Sequence, residues 1–94
     1  MEWKEVDENN CILMAYCGMV KVGNVKRTVE EGYEEYIFHT IYDEEGTEIE
    51  GVNNMEKAKE RGIEILEDTL KDEISFCKDL LRKIHHERIK EKFF

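Results

Sequence analysis

The chain has 94 residues, of which 39% are charged and 40% hydrophobic, and its net charge is −9 at pH 7. This length provides one domain with one modest core, and the patterning of the apolar residues distinguishes the chain from disordered sequences of similar charge. No apolar run approaches the length of a transmembrane helix, and the start MEWKEVDENN is acidic where a signal peptide is basic. We therefore expect a cytoplasmic protein that makes no contact with a membrane.

The charge is distributed unevenly along the chain. Residues 1–53 hold four bases against thirteen acids, residues 54–94 hold ten of each, and the end segment 78–92 holds six bases against three acids. Basic side chains suit the C-terminus of a helix because they complement its dipole. The alternative is that they contact a phosphate backbone or the acidic half of a second copy. The whole chain should be repelled by free nucleic acid, because affinity for nucleic acid comes mainly from phosphate neutralisation.

The first half predicts an antiparallel meander of three to five strands. Alternating or continuous apolar patterns mark the strand segments 3–7, 11–17, 19–22, 25–29, 34–42 and 47–52. Gly18 allows a turn or a bulge, and Gly23-Asn24 predicts either a two-residue hairpin turn or a bulge. Residues 43–46 predict a hairpin loop, with Gly46 at the position that needs a positive φ.

The second half predicts one long helix over residues 53–92. Asn53 and Asn54 provide N-cap side chains, and Glu56 lies three residues after Asn53, as in a capping box. Apolar residues recur at helical spacing along this segment: Ile63, Leu66, Leu70, Ile74, Cys77, Leu81 and Ile84. A break near residues 68–72 is the alternative, but the apolar stripe keeps its phase there. The predicted fold class is α+β, a single domain 1–94 with an acidic sheet (1–52) and a helix packed on one face.

The predicted helix is longer than the sheet it covers. It would extend roughly 58 Å at a rise of 1.5 Å per residue, whereas strands are commonly about 17–20 Å long. Its second half therefore overhangs or folds back, and an overhanging apolar stripe favours a second copy of the chain as its partner. The predicted homodimer contacts are Ile74, Cys77, Leu81 and Ile84.

One helix cannot cover both faces of the sheet. The predicted strand 34–42 has an aromatic row on one face and Ile37, His39 and Ile41 on the other. An apolar row rimmed by acids is typical of an interaction surface, unless Trp3, Tyr16 and Met19 fold over it. The predicted partner-binding residues are Glu34, Glu35, Tyr36, Phe38, Tyr42, Asp43, Glu44, Glu45, Glu48 and Glu50.

The sequence predicts no catalytic, metal or cofactor site, and therefore no enzyme. His85 and His86 are adjacent, so a helix directs them about 100° apart and prevents them from sharing a metal. His39 lacks a partner that would position it as a base. The three cysteines are an odd count without metal-site spacing, as expected of buried thiols in a reducing compartment.

The pattern resembles the small β-meander-plus-helix proteins of phages and prophages. The resemblance rests on an early Trp3, a strand ending at Gly18, the aromatic strand 33–42 and a capped helix opening with residues 56–59 (EKAK). These proteins include acidic anti-CRISPR inhibitors, and the resemblance implies that carboxylates occupy a basic groove meant for nucleic acid. A HicB-type antitoxin domain is similar too, but the tryptophan start and the lack of a DNA-binding module depart from it.

Two functions follow as hypotheses. The first is an inhibitor whose acidic sheet docks on the basic surface of a nucleic-acid-binding enzyme. The second is a homodimeric structural or adaptor protein assembled through the long helix. A small enzyme using His39 or a cysteine is the third and least favoured possibility.

Overall fold

The computed structural model describes the backbone of residues 1–93 and the side chains of residues 1–90. It confirms the α+β class, with an antiparallel five-stranded meander in the order β1-β2-β3-β4-β5 followed by one C-terminal helix. The elements are β1 Glu2–Asp7, β2 Asn10–Ala15, β3 Val20–Glu30, β4 Tyr33–Thr40, β5 Asp43–Glu48 and α1 Met55–Phe93. Phe94, the last residue of the predicted domain, lies outside the described residues, as do the side chains of Glu91 and Lys92 in the basic end segment.

Strand β3 runs without interruption through Gly23-Asn24, so these residues form no hairpin turn. Leu13 pairs with Gly23 while Met14 pairs with Lys21, which leaves Val22 as the extra residue of a bulge. A bulge is therefore present, but it lies at Val22, whereas Gly23 and Asn24 pair regularly with Leu13 and Ile12. The turn between β2 and β3 lies at residues 16–19 and includes Gly18, where a turn was one of the two predicted alternatives.

The predicted loop at residues 43–46 is wrong, because these residues begin β5. The chain reverses at Ile41-Tyr42, and Thr40 already pairs with Asp43. The Asp43 carboxylate accepts hydrogen bonds from the backbone N–H groups of Glu45 and Gly46, both at 3.1 Å. Gly46 has a φ of 83°, as predicted, but it serves a bulge inside the strand rather than a hairpin loop.

The helix begins at Met55 with Asn54 as its N-cap. The Asn54 side-chain oxygen accepts the N–H of Lys57 at 2.9 Å, and the Asn54 carbonyl accepts the N–H of Ala58 at 3.1 Å. The predicted capping box does not form, because the N-cap is Asn54 rather than Asn53 and the residue three positions after it is Lys57. The Glu56 carboxylate accepts a hydrogen bond from Lys59 at 3.1 Å.

The helix covers the face of the sheet that carries Phe38. This ring is fully buried, and a Cβ added at Gly62 would lie 2.6 Å from it, so the glycine lets the helix approach the sheet closely. The buried apolar cluster consists of Leu13, Val25, Tyr36, Phe38, Ile49, Ala58 and Leu66. Burial of Tyr36 and Phe38 corrects their assignment to a partner surface, because a partner cannot reach side chains that lie beneath the helix.

The helix is continuous through residues 68–72, so the alternative of a break there is wrong. The Thr69 hydroxyl donates to the carbonyl of Ile65 at 2.9 Å and is thus engaged within the helix rather than capping a new one. Among the described side chains, every one from Ile74 to Lys90 is exposed. We call residues 74–90 the overhang. It contributes to a molecule 65 Å long but only 17 Å thick.

Candidate interaction surfaces

The meander gathers carboxylates at one end of the sheet. The β1–β2 turn, the β3–β4 turn and the end of β5 all lie at this end, because alternate turns of an antiparallel meander share an end. We call this the acidic end. Its members are Asp7, Glu8, Glu30, Glu31, Glu34, Glu35, Glu48 and Glu50, of which all but the half-buried Glu35 are exposed. They are eight of the thirteen acids in residues 1–53.

The tip of the β3–β4 hairpin projects beyond its neighbours. Strand β2 ends its pairing at Asn10 opposite Lys26, whereas β3 and β4 remain paired as far as Glu30 opposite Tyr33. Tyr33 is 66% exposed among the carboxylates of the tip. The acidic end therefore carries an aromatic side chain of the type that is enriched at interface hot spots.

Arg27 ties this hairpin to the β1–β2 turn. Its guanidinium forms an ion pair with Glu34 and donates to the Asn9 side-chain oxygen at 3.1 Å, while its backbone N–H donates to the Asn9 carbonyl at 2.7 Å. The hydrogen bond to Glu34 raises the pKa of Arg27. The hairpin is thus held in place, and Glu34 is the one carboxylate of the acidic end that is ion-paired among the described residues.

The face of the sheet opposite the helix differs from the acidic end. Strand register places Lys4, Ile12, Asn24 and His39 in one row of this open face, and Lys26 in the next row beside Ile37. Bases and apolar residues therefore interrupt the carboxylates here. The acidic surface is an end of the sheet and not one of its faces.

The predicted partner-binding residues separate into three places. Glu34, Glu35, Glu48 and Glu50 lie at the acidic end, whereas Tyr42, Asp43, Glu44 and Glu45 lie at the opposite end of β5, and Tyr36 and Phe38 are buried. Residues of the acidic end absent from the predicted set are Asp7, Glu8, Glu30, Glu31 and Tyr33. The alternation of turns in a meander was the signal that would have grouped them.

The overhang is the second candidate surface. The predicted dimer residues Ile74, Leu81 and Ile84 are 54%, 65% and 42% exposed, and Cys77 is exposed between them. Leu70 extends this row toward the sheet at 38% exposed. We call Leu70, Ile74, Cys77, Leu81 and Ile84 the helix seam. From Ile74 onward this apolar row lies on the overhang, where every described side chain is exposed.

The residues considered for chemistry lie apart in the fold. His39 is half-buried on the open face, with its ring against Gly46. The expectation of buried thiols is confirmed for Cys11 but is wrong for Cys17, in the β2–β3 turn, and for Cys77, because both are exposed. His85 and His86 are exposed on the overhang, and burial raises the pKa of the Cys11 thiol. Across the described part of the chain, no three His, Cys, Asp or Glu side chains gather as metal ligands. Within the same residues, no helix is both long and apolar enough to cross a bilayer.

Comparison of the chain with protein-family models, with curated proteins and with solved structures finds no match.

Proposed function

We propose that this chain is a small non-enzymatic inhibitor that occupies the basic site of a nucleic-acid-binding protein with its acidic end. The observation that carries the proposal is the gathering of eight carboxylates at one end of the sheet, with one ion pair among them. Such a field steers association with a positively charged site and raises the association rate. The same field repels free nucleic acid, so the partner is a protein.

The sheet supplies the rigidity that this role requires. Neighbouring strands lie about 4.8 Å apart, so the strands fix the spacing of the carboxylates they carry. A basic groove that binds phosphates then meets a preorganised set of anions, and little ordering entropy is lost on binding. Tyr33 is the anchor we assign to the centre of this contact, because its exposed ring contributes apolar area among the charges.

The setting of this activity follows from the resemblance to phage and prophage inhibitors. We place the protein in the cytoplasm of a host cell, with a defence protein of the anti-CRISPR target class as its partner. The three cysteines support a reducing compartment, because Cys11, Cys17 and Cys77 are all free thiols.

The test compares two charge reversals of equal size. Glu30→Lys/Glu31→Lys alters the acidic end, and Glu44→Lys/Glu45→Lys alters the opposite end of β5. Each variant changes the net charge from −9 to −5, because each of two reversals adds two charges. We expect that protein captured by the immobilised wild type from a bacterial lysate is lost with the first variant and retained with the second.

Two further readouts identify the occupied site. Rising salt should weaken the capture, and added duplex DNA should displace the captured protein. Capture that withstands Glu30→Lys/Glu31→Lys, or that DNA does not displace, would contradict the proposal.

A second function is favoured by the overhang, namely a homodimeric adaptor assembled through the helix seam. An exposed apolar row of this length is unusual on a monomer and marks an interaction site. Light scattering over a range of concentrations should show a dimer for the wild type and a monomer for Leu81→Asp. A wild type that stays monomeric throughout would remove this function while leaving the inhibitor proposal intact.

A further inference from the structure

The helix seam follows the heptad spacing of a two-stranded coiled coil. Leu70, Cys77 and Ile84 fall at one repeating position (d), and Ile74 and Leu81 fall at the other (a). The next a positions are Glu67 and Arg88, which bound the seam at either end. All five seam positions are exposed, so a second helix has access to them.

The charges beside the seam distinguish two ways in which a second copy can pack. The flanking e positions hold Lys71, Lys78 and His85, and the flanking g positions hold Glu73, Leu80 and Glu87. In a parallel pair, each g residue meets the e residue five positions further along the partner helix, so Glu73 meets Lys78 of the second copy. In an antiparallel pair, e meets e and g meets g. Lys78 would then approach Lys78 of the second copy, and Glu73 would approach Glu87.

The apolar layers favour the same orientation. In a parallel in-register pair, each of the five seam residues meets its own counterpart, so every layer is apolar. In an antiparallel pair, the register that opposes Ile74 to Ile84 also opposes Leu70 to Arg88, which places a charge against leucine. Both the flanking charges and the layers therefore favour parallel helices.

We infer that the helix seam binds the seam of a second copy as a parallel, in-register dimer. This inference rests on the assembly proposed for the overhang. Its consequence is that the two sheets lie at the same end of the dimer. The dimer then presents two acidic ends to one partner or to two adjacent sites, and such bivalency strengthens binding without any new contact.

Charge exchange at one flanking pair tests the orientation. Glu73→Lys should raise the dissociation constant of the dimer about tenfold, because it makes two attractive pairs repulsive, and Lys78→Glu should do the same. The double variant should return the constant to within about twofold of wild type. Asp72→Lys makes the same charge change at an outward position (f) and should leave the constant unchanged. Sedimentation equilibrium measures all five proteins.

The cysteine of the seam provides an independent readout. In the Cys17→Ser variant, Cys77 is the one exposed thiol among the described residues. A parallel pair opposes Cys77 to Cys77, so an added oxidant such as diamide should take two electrons and two protons from the two thiols and leave a disulfide-linked dimer. The Cys17→Ser/Cys77→Ser variant should form none.

Each result has a distinct meaning. Tighter association of Glu73→Lys, or a dimer in which Cys77 does not link, overturns the parallel orientation alone. A wild type that remains monomeric overturns the assembly together with its orientation. Neither result depends on capture of a partner by the acidic end, so failure of the inhibitor proposal is scored separately.

Discussion

The two halves of helix α1 share one apolar periodicity but have different surroundings. Leu66 in the first half is 4% exposed beneath the sheet, whereas Leu81 in the second half is 65% exposed. The residue type and the helical geometry are the same at both positions. The difference lies in the length of the sheet, whose strands end before the helix does.

This contrast shows what an amphipathic pattern means physically. Helical spacing of apolar residues indicates which side of a helix is buried, but it does not identify the surface that covers that side. In residues 55–69 the cover is the sheet of the same chain. In the overhang we propose that it is a second copy.

The largest expected difference in stability is between truncation of a leucine in the first half of the helix and truncation of a leucine in the second half. Leu66→Ala should lower the free energy of unfolding by about 2–5 kcal/mol, because it removes buried methyl groups and leaves a cavity. Leu81→Ala should change the stability of the monomer by no more than about 0.5 kcal/mol. Urea unfolding at protein concentrations low enough to favour the monomer measures both.

The same pair gives opposite results in an assembly measurement. Leu81→Ala should weaken the dimer, whereas folded Leu66→Ala should retain it. Equal losses of stability in the two variants would show that the overhang packs on its own chain.

A smaller loss of stability is expected from a substitution at Gly62, where the first half of the helix contacts the Phe38 ring of the sheet. Gly62→Ala should destabilise the protein by a net of about 1–2 kcal/mol, because the new methyl group overlaps the Phe38 ring and outweighs the better helix propensity of alanine. Ser75→Ala is the matched control on the exposed overhang and should be neutral or slightly stabilising. Thermal unfolding compares them, and a stabilised Gly62→Ala would mean that helix and sheet are not in close contact.

The smallest effect is expected in the alkylation rates of the cysteine thiols. These rates compare the covered and exposed parts of the molecule without altering its packing. Cys11 is 1% exposed on the helix-covered face, and burial raises its pKa, so alkylation of the native monomer should be slower at Cys11 than at Cys77 or Cys17. Because the folded-state pKa of Cys11 lies above the unfolded value, its contribution to stability is fully present below the unfolded pKa. That contribution is lost as the pH rises from the unfolded pKa through the folded pKa. Mass spectrometry after timed alkylation gives the three rates. Equal rates would show that the helix does not shield Cys11.

Local features of the fold were well predicted from the sequence where one residue type dictates the conformation. Gly46 has the positive φ that was expected, and an asparagine caps the helix, although it is Asn54 that does so without the capping box. The β4–β5 turn was misplaced because Asp43-Glu44-Glu45-Gly46 has turn composition. In the structure, that composition supplies an Asp43 side-chain bond and a bulge inside a strand.

The candidate surface was only partly predicted. The carboxylates of β4 and β5 are near one another in the chain and were predicted to share a surface, whereas Glu30, Glu31 and the β1–β2 turn were not. Strand order, which is a long-range property, brings the β1–β2 turn to the same end as the β3–β4 hairpin. Glu30 and Glu31 are in that hairpin beside Glu34, and only the position of its turn groups them with the other carboxylates. The choice of covered face was likewise open until the helix was seen to lie over Phe38 rather than over Ile37.

The sequence by itself determined the α+β class, the continuous helix with its apolar stripe and the excess of acid in the first half. These features depend on local periodicity and composition, which neighbouring residues specify among themselves. Only the tertiary structure decided which sheet face is buried, which carboxylates share an end and where the helix leaves the sheet. Those outcomes depend on the register and lengths of strands distant in sequence, because pairing and packing between them place the side chains.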